Sequence, residues 1–232
     1  MKTLIIPDIH NRVDWIEPFL TSQNYDKVVF LGDYFDDFGD SPKDAKIVAK
    51  WLQQSLQFKN RIHLFGTHDM WYRFPFNPCL LASGNTGAKS EAIKKILDED
   101  DWNLLQFYHF EQNHLLTHAG LHPSFVKNNN PLDSLEILID QAKIEIQEGT
   151  IDPILDAGFA RGGTNPFGGI TWLDWYEEFE SIPNLNQIVG HTEVKAPVEK
   201  SLFNSKNYCL DTKSRYIGIL ENGLFSTRSI YL

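Results

Sequence analysis

Cysteine is scarce in this chain: 232 residues hold two, Cys79 and Cys209, far apart and in no C-x-x-C pair. That excludes a disulfide framework and makes a reducing compartment the default, with both thiols expected to serve as packing. Basic charge is also short, since 21 Lys and Arg face 31 Asp and Glu for a formal net charge of −10. Such a surface argues against non-specific nucleic-acid binding, which needs a basic face. A phosphorylated substrate remains admissible, because bound cations would reverse the sign locally. Long apolar runs are missing as well. The first is stopped by Pro7, too early for a signal peptide, and none could span a membrane. A cytoplasmic protein with no membrane partner is the expectation. There is no internal repeat, low-complexity tract or interdomain linker, and the length suffices for a full core. One domain over residues 1–232 is therefore expected.

What is present is a rhythm of short apolar runs. Residues 2–7, 27–31 and 61–65 read as buried strands. Between them, Val13 to Leu20 and Pro42 to Phe58 have helical spacing. The second of these carries Ile47, Val48, Trp51, Leu52 and Leu56 as its apolar stripe. A β-α-β-α-β series of this kind implies parallel strands joined by right-handed crossovers. The stretch 70–87 breaks the rhythm with aromatics, Pro and Gly, and reads as an irregular insertion. Residues 88–97 and 134–146 look helical, and 105–110 with 114–117 look like a hairpin turned at Gln112-Asn113. A second irregular stretch, 157–169, carries five glycines and Arg161. Strands follow at 188–189, 208–210 and 217–220. Asn222-Gly223 then turns the chain into a last hairpin arm over 224–231.

Metal-binding residue types sit directly after these strands. Asp8 and His10 are two apart, which at a strand end puts both on one face. Asp33 follows Gly32 after the second strand, where a carboxylate can bridge two cations as a single imidazole cannot. Gly66-Thr67-His68-Asp69 follows the third strand. His118 follows Leu115-Leu116, and His191 follows Ile188-Val189. Taken singly, His118 and His191 are each more often structural, and His10 is as often a surface or capping histidine. Five such elements in order, each after an apolar run, suit a divalent-metal site on a rigid sheet. Imidazole nitrogens favour Mn, Fe, Zn or Ni over Ca or Mg alone, with Mn expected.

The order and content of these motifs resemble the calcineurin-like metallophosphoesterase superfamily, nearest its small Ser/Thr-type phosphatase and dinucleoside-polyphosphate hydrolase branch. Gly190-His191-Thr192 is similar to the family's G-H-T segment, and Leu210-Asp211-Thr212 to its L-D-T-G segment. The resemblance implies a four-layer α/β/β/α sandwich with mixed sheets. It implies two divalent metals held by Asp8, His10, Asp33, Thr67, His118 and His191, with an activated water as nucleophile. It makes His68 the general acid and Asp36 its orienting carboxylate. The implied reaction is hydrolysis of a phosphate ester or phosphoanhydride. A small phosphorylated substrate or a nucleotide is expected, and a phosphoprotein is disfavoured.

The departures are specific. Thr67 stands where the family has the Asn of G-N-H-D, whose amide oxygen ligates the second metal. The Arg of the branch's D-R-G is missing from Asp36-Asp37-Phe38-Gly39, and Phe65 replaces the Arg that often precedes G-N-H. Arg161 and Arg73 are the candidate replacements for binding substrate. The aromatics Trp71, Tyr72, Phe74 and Phe76 offer either base stacking or plain packing. A catalytically impaired scaffold on the same fold is the alternative that Thr67 and the lost arginines leave open.

Overall fold

The first strand is apolar toward both of its faces, and both faces are used. In the computed structural model, which describes residues 1–127, 130–202 and 204–231, Lys2–Ile6 forms β1. Its Leu4 and Ile6 pack among helical residues such as Ile16, Val48 and Leu52. Its Ile5 points the other way, into a cluster with Val29, Leu31, Leu64, Leu116, Ile188, Leu210 and Leu220. The period-2 alternation of a strand thus serves two cores, one under helices and one between sheets.

The elements that follow are α1 (Ile16–Thr21), β2 (Lys27–Phe30), α2 (Pro42–Leu56), β3 (Arg61–His63), α3 (Thr67–Arg73), α4 (Gly87–Lys94) and α5 (Glu99–Trp102). Then come β4 (Tyr108–Glu111), β5 (His114–Thr117), α6 (Pro131–Gln147), β6 (Asn186–Val189), β7 (Val198–Leu202), β8 (Ser205–Cys209), β9 (Tyr216–Glu221) and β10 (Leu224–Ser229). They build two mixed five-stranded sheets, ordered β10-β9-β1-β2-β3 and β4-β5-β6-β8-β7. Within them β1-β2-β3 and β5-β6-β8 run parallel, and the flanking pairs are antiparallel. On the second sheet, Leu135, Ile139, Ala142 and Ile146 of α6 join the same helical core as Leu115. The expected parallel series and the mixed α/β sandwich are both present.

Several local readings change. The stretch 70–87 opens inside α3, because Asp69 caps the turn and Met70 and Tyr72 bury themselves. β3 ends at His63, and Leu64 instead bridges to Gln106. In α2 the buried stripe is Ala45, Val48, Ala49, Trp51 and Leu52, while Ile47 is exposed. β7 was not expected: its sequence VEKSL is polar, as suits an edge strand with exposed side chains. Both foreseen hairpins form, with Gln112, Asn113, Asn222 and Gly223 all at positive φ. Cys79 is exposed and contributes no core packing, whereas Cys209 is buried.

Glu111, at the end of β4, ties the two sheets together. Its carboxylate accepts from Thr3 of β1, from Lys27 of β2 and from His109 at 3.0 Å. Burial alone would raise this carboxyl, but the bonds from Lys27, Thr3 and His109 outweigh it and bring it down to about 2. A carboxyl lower in the folded state stabilises above its unfolded pKa, and the contribution is lost as pH falls through the folded value. Glu111→Gln should therefore cost about 1–3 kcal/mol at neutral pH. In urea denaturation the gap to the parent protein should narrow as pH falls from about 5 toward 2. A gap that stays constant with pH would show that the charge of Glu111 contributes nothing.

Candidate metal centre

The parallel strands of both sheets deliver their C-terminal ends to one place, where open α/β sheets hold ligands. Beyond β1 lie Asp8 and His10, beyond β2 Asp33, and beyond β3 Thr67 and His68. Beyond β5, β6 and β8 lie His118, His191 and Asp211. The turns are tight. His10, Asn11, Asp33, Asp36 and His191 all have φ between 43° and 65°, a left-handed conformation uncommon for residues with a side chain. Glycines make the room. A Cβ on Gly66 would lie 2.3 Å from Asp33 Oδ1, and one on Gly190 would lie 2.0 Å from Asp8 Oδ2.

Asp33 sits at the middle. Its Oδ2 is 3.3 Å from His118 Nε2 and 3.7 Å from His10 Nε2. Each of those rings is oriented through its other nitrogen. His118 Nδ1 donates to the Leu31 carbonyl at 2.9 Å, and His10 Nδ1 to the Asp36 carbonyl at 2.6 Å. That arrangement fixes the tautomer and turns both Nε2 atoms toward Asp33. Two groups of ligand atoms result, His10-Asp33-His68 and Asp33-His118-His191. Within each group the atoms lie within 4.8 Å of one another, and Asp33 belongs to both. His191 Nδ1 faces His118 Nε2 at 3.2 Å, and its Nε2 is buried with no hydrogen-bond partner among the described residues. Asp8 belongs to neither group; it lies beside them, with its carboxylate accepting the His191 backbone N–H at 2.9 Å.

The electrostatics suit cations. Burial, with Asp211 and Asp33 nearby, raises the Asp8 carboxyl, and burial raises Asp211 too. Burial would also raise Asp33, but His118 and His68 hold it well below the usual range. His118, lowered by burial, is brought up to about 9 by the Asp33 charge. Burial, His118 and Arg161 together depress His191. Buried carboxylates facing imidazole nitrogens are a donor set that fits a pair of divalent cations, whose charge would take the place of the proton that Asp33 keeps on His118. Thr67 is also buried against Asp33, with its hydroxyl donating to Oδ1 and Oδ2 at 3.2 and 3.3 Å.

His68 is the second residue of α3, and its backbone N–H donates to Asp33 Oδ1 at 2.9 Å. Its Nδ1 is 3.2 Å from Asp36 Oδ2. Burial would lower this imidazole, yet Asp33 and Asp36 raise it. Asp36 in turn accepts from Tyr72 Oη at 2.7 Å, Lys89 Nζ at 2.8 Å and Asn85 Nδ2 at 2.6 Å. Sequence reading passed over Lys89 and Asn85, which no local signal ties to a strand end. It also gave Asp69 no role. That carboxylate accepts the backbone N–H groups of Asp33, Tyr34 and Gly66 at 2.8–2.9 Å and so clamps two ligand loops together. An acidic residue three places after a helix N-cap was the available signal.

The two arginines separate. Arg161 donates to Thr192 Oγ1 at 3.0 Å and pairs with Asp174 at 2.8 Å, and its charge is felt by His191. Arg73 is not at the centre. Five helical residues after His68 it faces another way, bound to Glu99 at 3.0 Å and Asn103 at 3.2 Å. There it lines a separate cavity of about 570 Å³ with Phe65, Trp102 and Ile139. Of the four aromatics, Tyr72 is buried on Asp36, Trp71 and Phe74 are half-buried in the core, and only Phe76 is fully exposed. Packing explains three of them. The Cys209 thiol is buried beneath the site, where burial raises its pKa, so it offers no nucleophile.

No curated protein matches this sequence. The calcineurin-like phosphoesterase family matches it over residues 1–195. The chain belongs to that family. It is accordingly a metal-dependent hydrolase of phosphoesters. Solved structures agree on the fold of this calcineurin-like phosphoesterase. A cold-active protein-tyrosine phosphatase of a Shewanella species superposes with a TM-score of 0.59 at 16% identity, over 97% of this chain and 80% of that one. A protein serine/threonine phosphatase from Saccharomyces cerevisiae gives 0.54 at 11%, over 100% and 81%. A metallophosphoesterase from Sphaerobacter thermophilus gives 0.50 at 15%, over 99% and 88%. No helix among the described residues is long and apolar enough to cross a membrane.

Proposed function

We propose that this phosphoesterase holds two divalent cations, one on Asp8, His10 and Asp33, the other on Asp33, Thr67, His118 and His191. The observation that carries the reading is the membership of Asp33 in both clusters of ligand atoms. When bound, such a pair would neutralise phosphoryl oxygens and lower the pKa of an attacking water. His68 acts as general acid on the leaving oxygen, with Asp36 holding its Nδ1 so that Nε2 is the nitrogen that hands over a proton. Arg161, fixed by Asp174 beside His191, binds the phosphate in place of the family's missing arginines. The substrate is a small phosphomonoester or a nucleotide-type anhydride. Manganese is the proposed metal, the whole chain acts as one domain, and a cytoplasmic setting suits its free thiols.

The test is metal content after mild purification, with hydrolysis of chromogenic mono- and diesters under added Mn. Two equivalents of metal and monoester turnover are expected. A metal-free, inert protein would favour a scaffold role.

Thr67 sharpens the expectation. Its hydroxyl is committed to Asp33, and it is a shorter and poorer ligand than an amide oxygen. Thr67→Asn should tighten the weaker cation and raise activity at limiting Mn, with little change at the first site. Titration calorimetry with Mn on both proteins reads this directly. Two tight sites in each isotherm would show that Thr67 already suffices.

A further inference from the structure

Asp36 is held from four sides, and three of its partners come from the segment that follows α3's first turn. The strongest of these is Lys89, on α4. Its ammonium donates to Asp36 Oδ1 at 2.8 Å and to the Gly84 carbonyl at 3.0 Å, and it forms a short ion pair with Asp40. Lys89 is only 4% exposed, and Asp36 is likewise 4% exposed. A lysine is almost never buried to this degree unless paired. Here one cation serves two carboxylates, the buried Asp36 and the half-buried Asp40, and Asp40 also receives Asn11 Nδ2 at 2.8 Å. Asn11 follows His10, so Lys89 links α4 to the loops beyond β1 and β2 at once.

We propose that Lys89 is a positioning residue for proton transfer by His68, acting through Asp36. The proposal rests on the reading of His68 as general acid. Asp36 has two oxygens with separate tasks. Oδ2 takes His68 Nδ1 and Asn85, and Oδ1 takes Tyr72 and Lys89. Bonds at Oδ1 fix the carboxylate's rotation, and that rotation sets where the imidazole points. Without the ammonium, Asp36 and Asp40 would be left as two nearby carboxylates with no cation between them. Asp36 would then turn away from Asp40, and that rotation would loosen its hold on His68. Gly84 closes the remaining side: a Cβ there would lie 3.1 Å from Asp36 Cβ. The segment from Gly84 to Lys89 is thereby part of the catalytic apparatus, a mount for its acid.

The experiment compares Lys89→Met, His68→Ala and the double variant on aryl and alkyl phosphate monoesters spanning good to poor leaving groups, in Mn buffer. Lys89→Met should lower kcat about 10- to 100-fold for the poorest leaving group and barely for nitrophenyl phosphate, a fraction of what a positioned acid supplies. KM and metal content by elemental analysis should stay unchanged. The double variant should be no slower than His68→Ala alone, because the lysine acts only through the histidine. A loss uniform across leaving groups, or one that adds to that of His68→Ala, would overturn the proposal and leave Lys89 a structural residue. Failure of the underlying reading shows separately, as a uniform loss in His68→Ala itself, and the proposal falls with it. Should Lys89→Met not fold, Lys89→Gln keeps a donor for Asp36 while removing the charge, and the same comparisons decide.

Discussion

Asp33→Asn is expected to strip the protein of most of its bound metal and to lower activity at least about 10²-fold, while the fold survives. The carboxylate lies within 3.3 Å of His118 Nε2 and 3.7 Å of His10 Nε2, and it is common to both ligand clusters. An amide of the same shape can still accept the His68 and Thr67 donors through its oxygen, so the loop beyond β2 keeps its bonds. What disappears is the negative charge that both cations would share. Elemental analysis and thermal unfolding together read the outcome. A folded variant that kept both equivalents of metal would show the two-cation assignment to be wrong.

His68→Ala is expected to lower kcat by roughly 10²–10⁴, the usual contribution of a positioned acid or base. The size should depend on the substrate. A nitrophenolate leaves with little need of a proton, whereas an alkoxide needs one, so the loss should grow as the leaving group becomes more basic. The geometry supports a proton donor, since the ring is raised in pKa by Asp33 and Asp36 and held through Nδ1. Equal losses for all leaving groups would mean that His68 grips the phosphate instead.

Much of this centre was legible because its residues obey a local rule. Asp8, His10, Asp33, His118 and His191 each follow an apolar run, and short strands with buried faces announce themselves by composition. The glycines before Asp33, Thr67 and His191 are legible for the same reason, since crowding at a strand end admits no side chain. What stayed hidden depends on tertiary distance. Lys89 is 53 residues from Asp36, and nothing near it in the chain marks it as other than a surface lysine. Arg73 misled in the opposite way: closeness in sequence to His68 suggested closeness in space, but the helical turn of α3 sends it to another cavity. β7 escaped because an edge strand needs no apolar pattern, only a partner in β8.

The ligands are spread along the chain in an order that matters as it is being made. The first proposed cation needs only Asp8, His10 and Asp33, all within one β-α-β unit, whereas the second waits for His118 and His191. β1 gains its antiparallel neighbour later still, because β9 begins at Tyr216. A chain emerging from the ribosome therefore presents one half of the centre long before the other, with β1 flanked on a single side. Asp8 and Asp33 spend that interval without His118, the histidine that offsets both of them most. A cation captured early would act as a folding aid in its own right, and metal supply during synthesis would then bear on the yield of native protein as well as on its turnover.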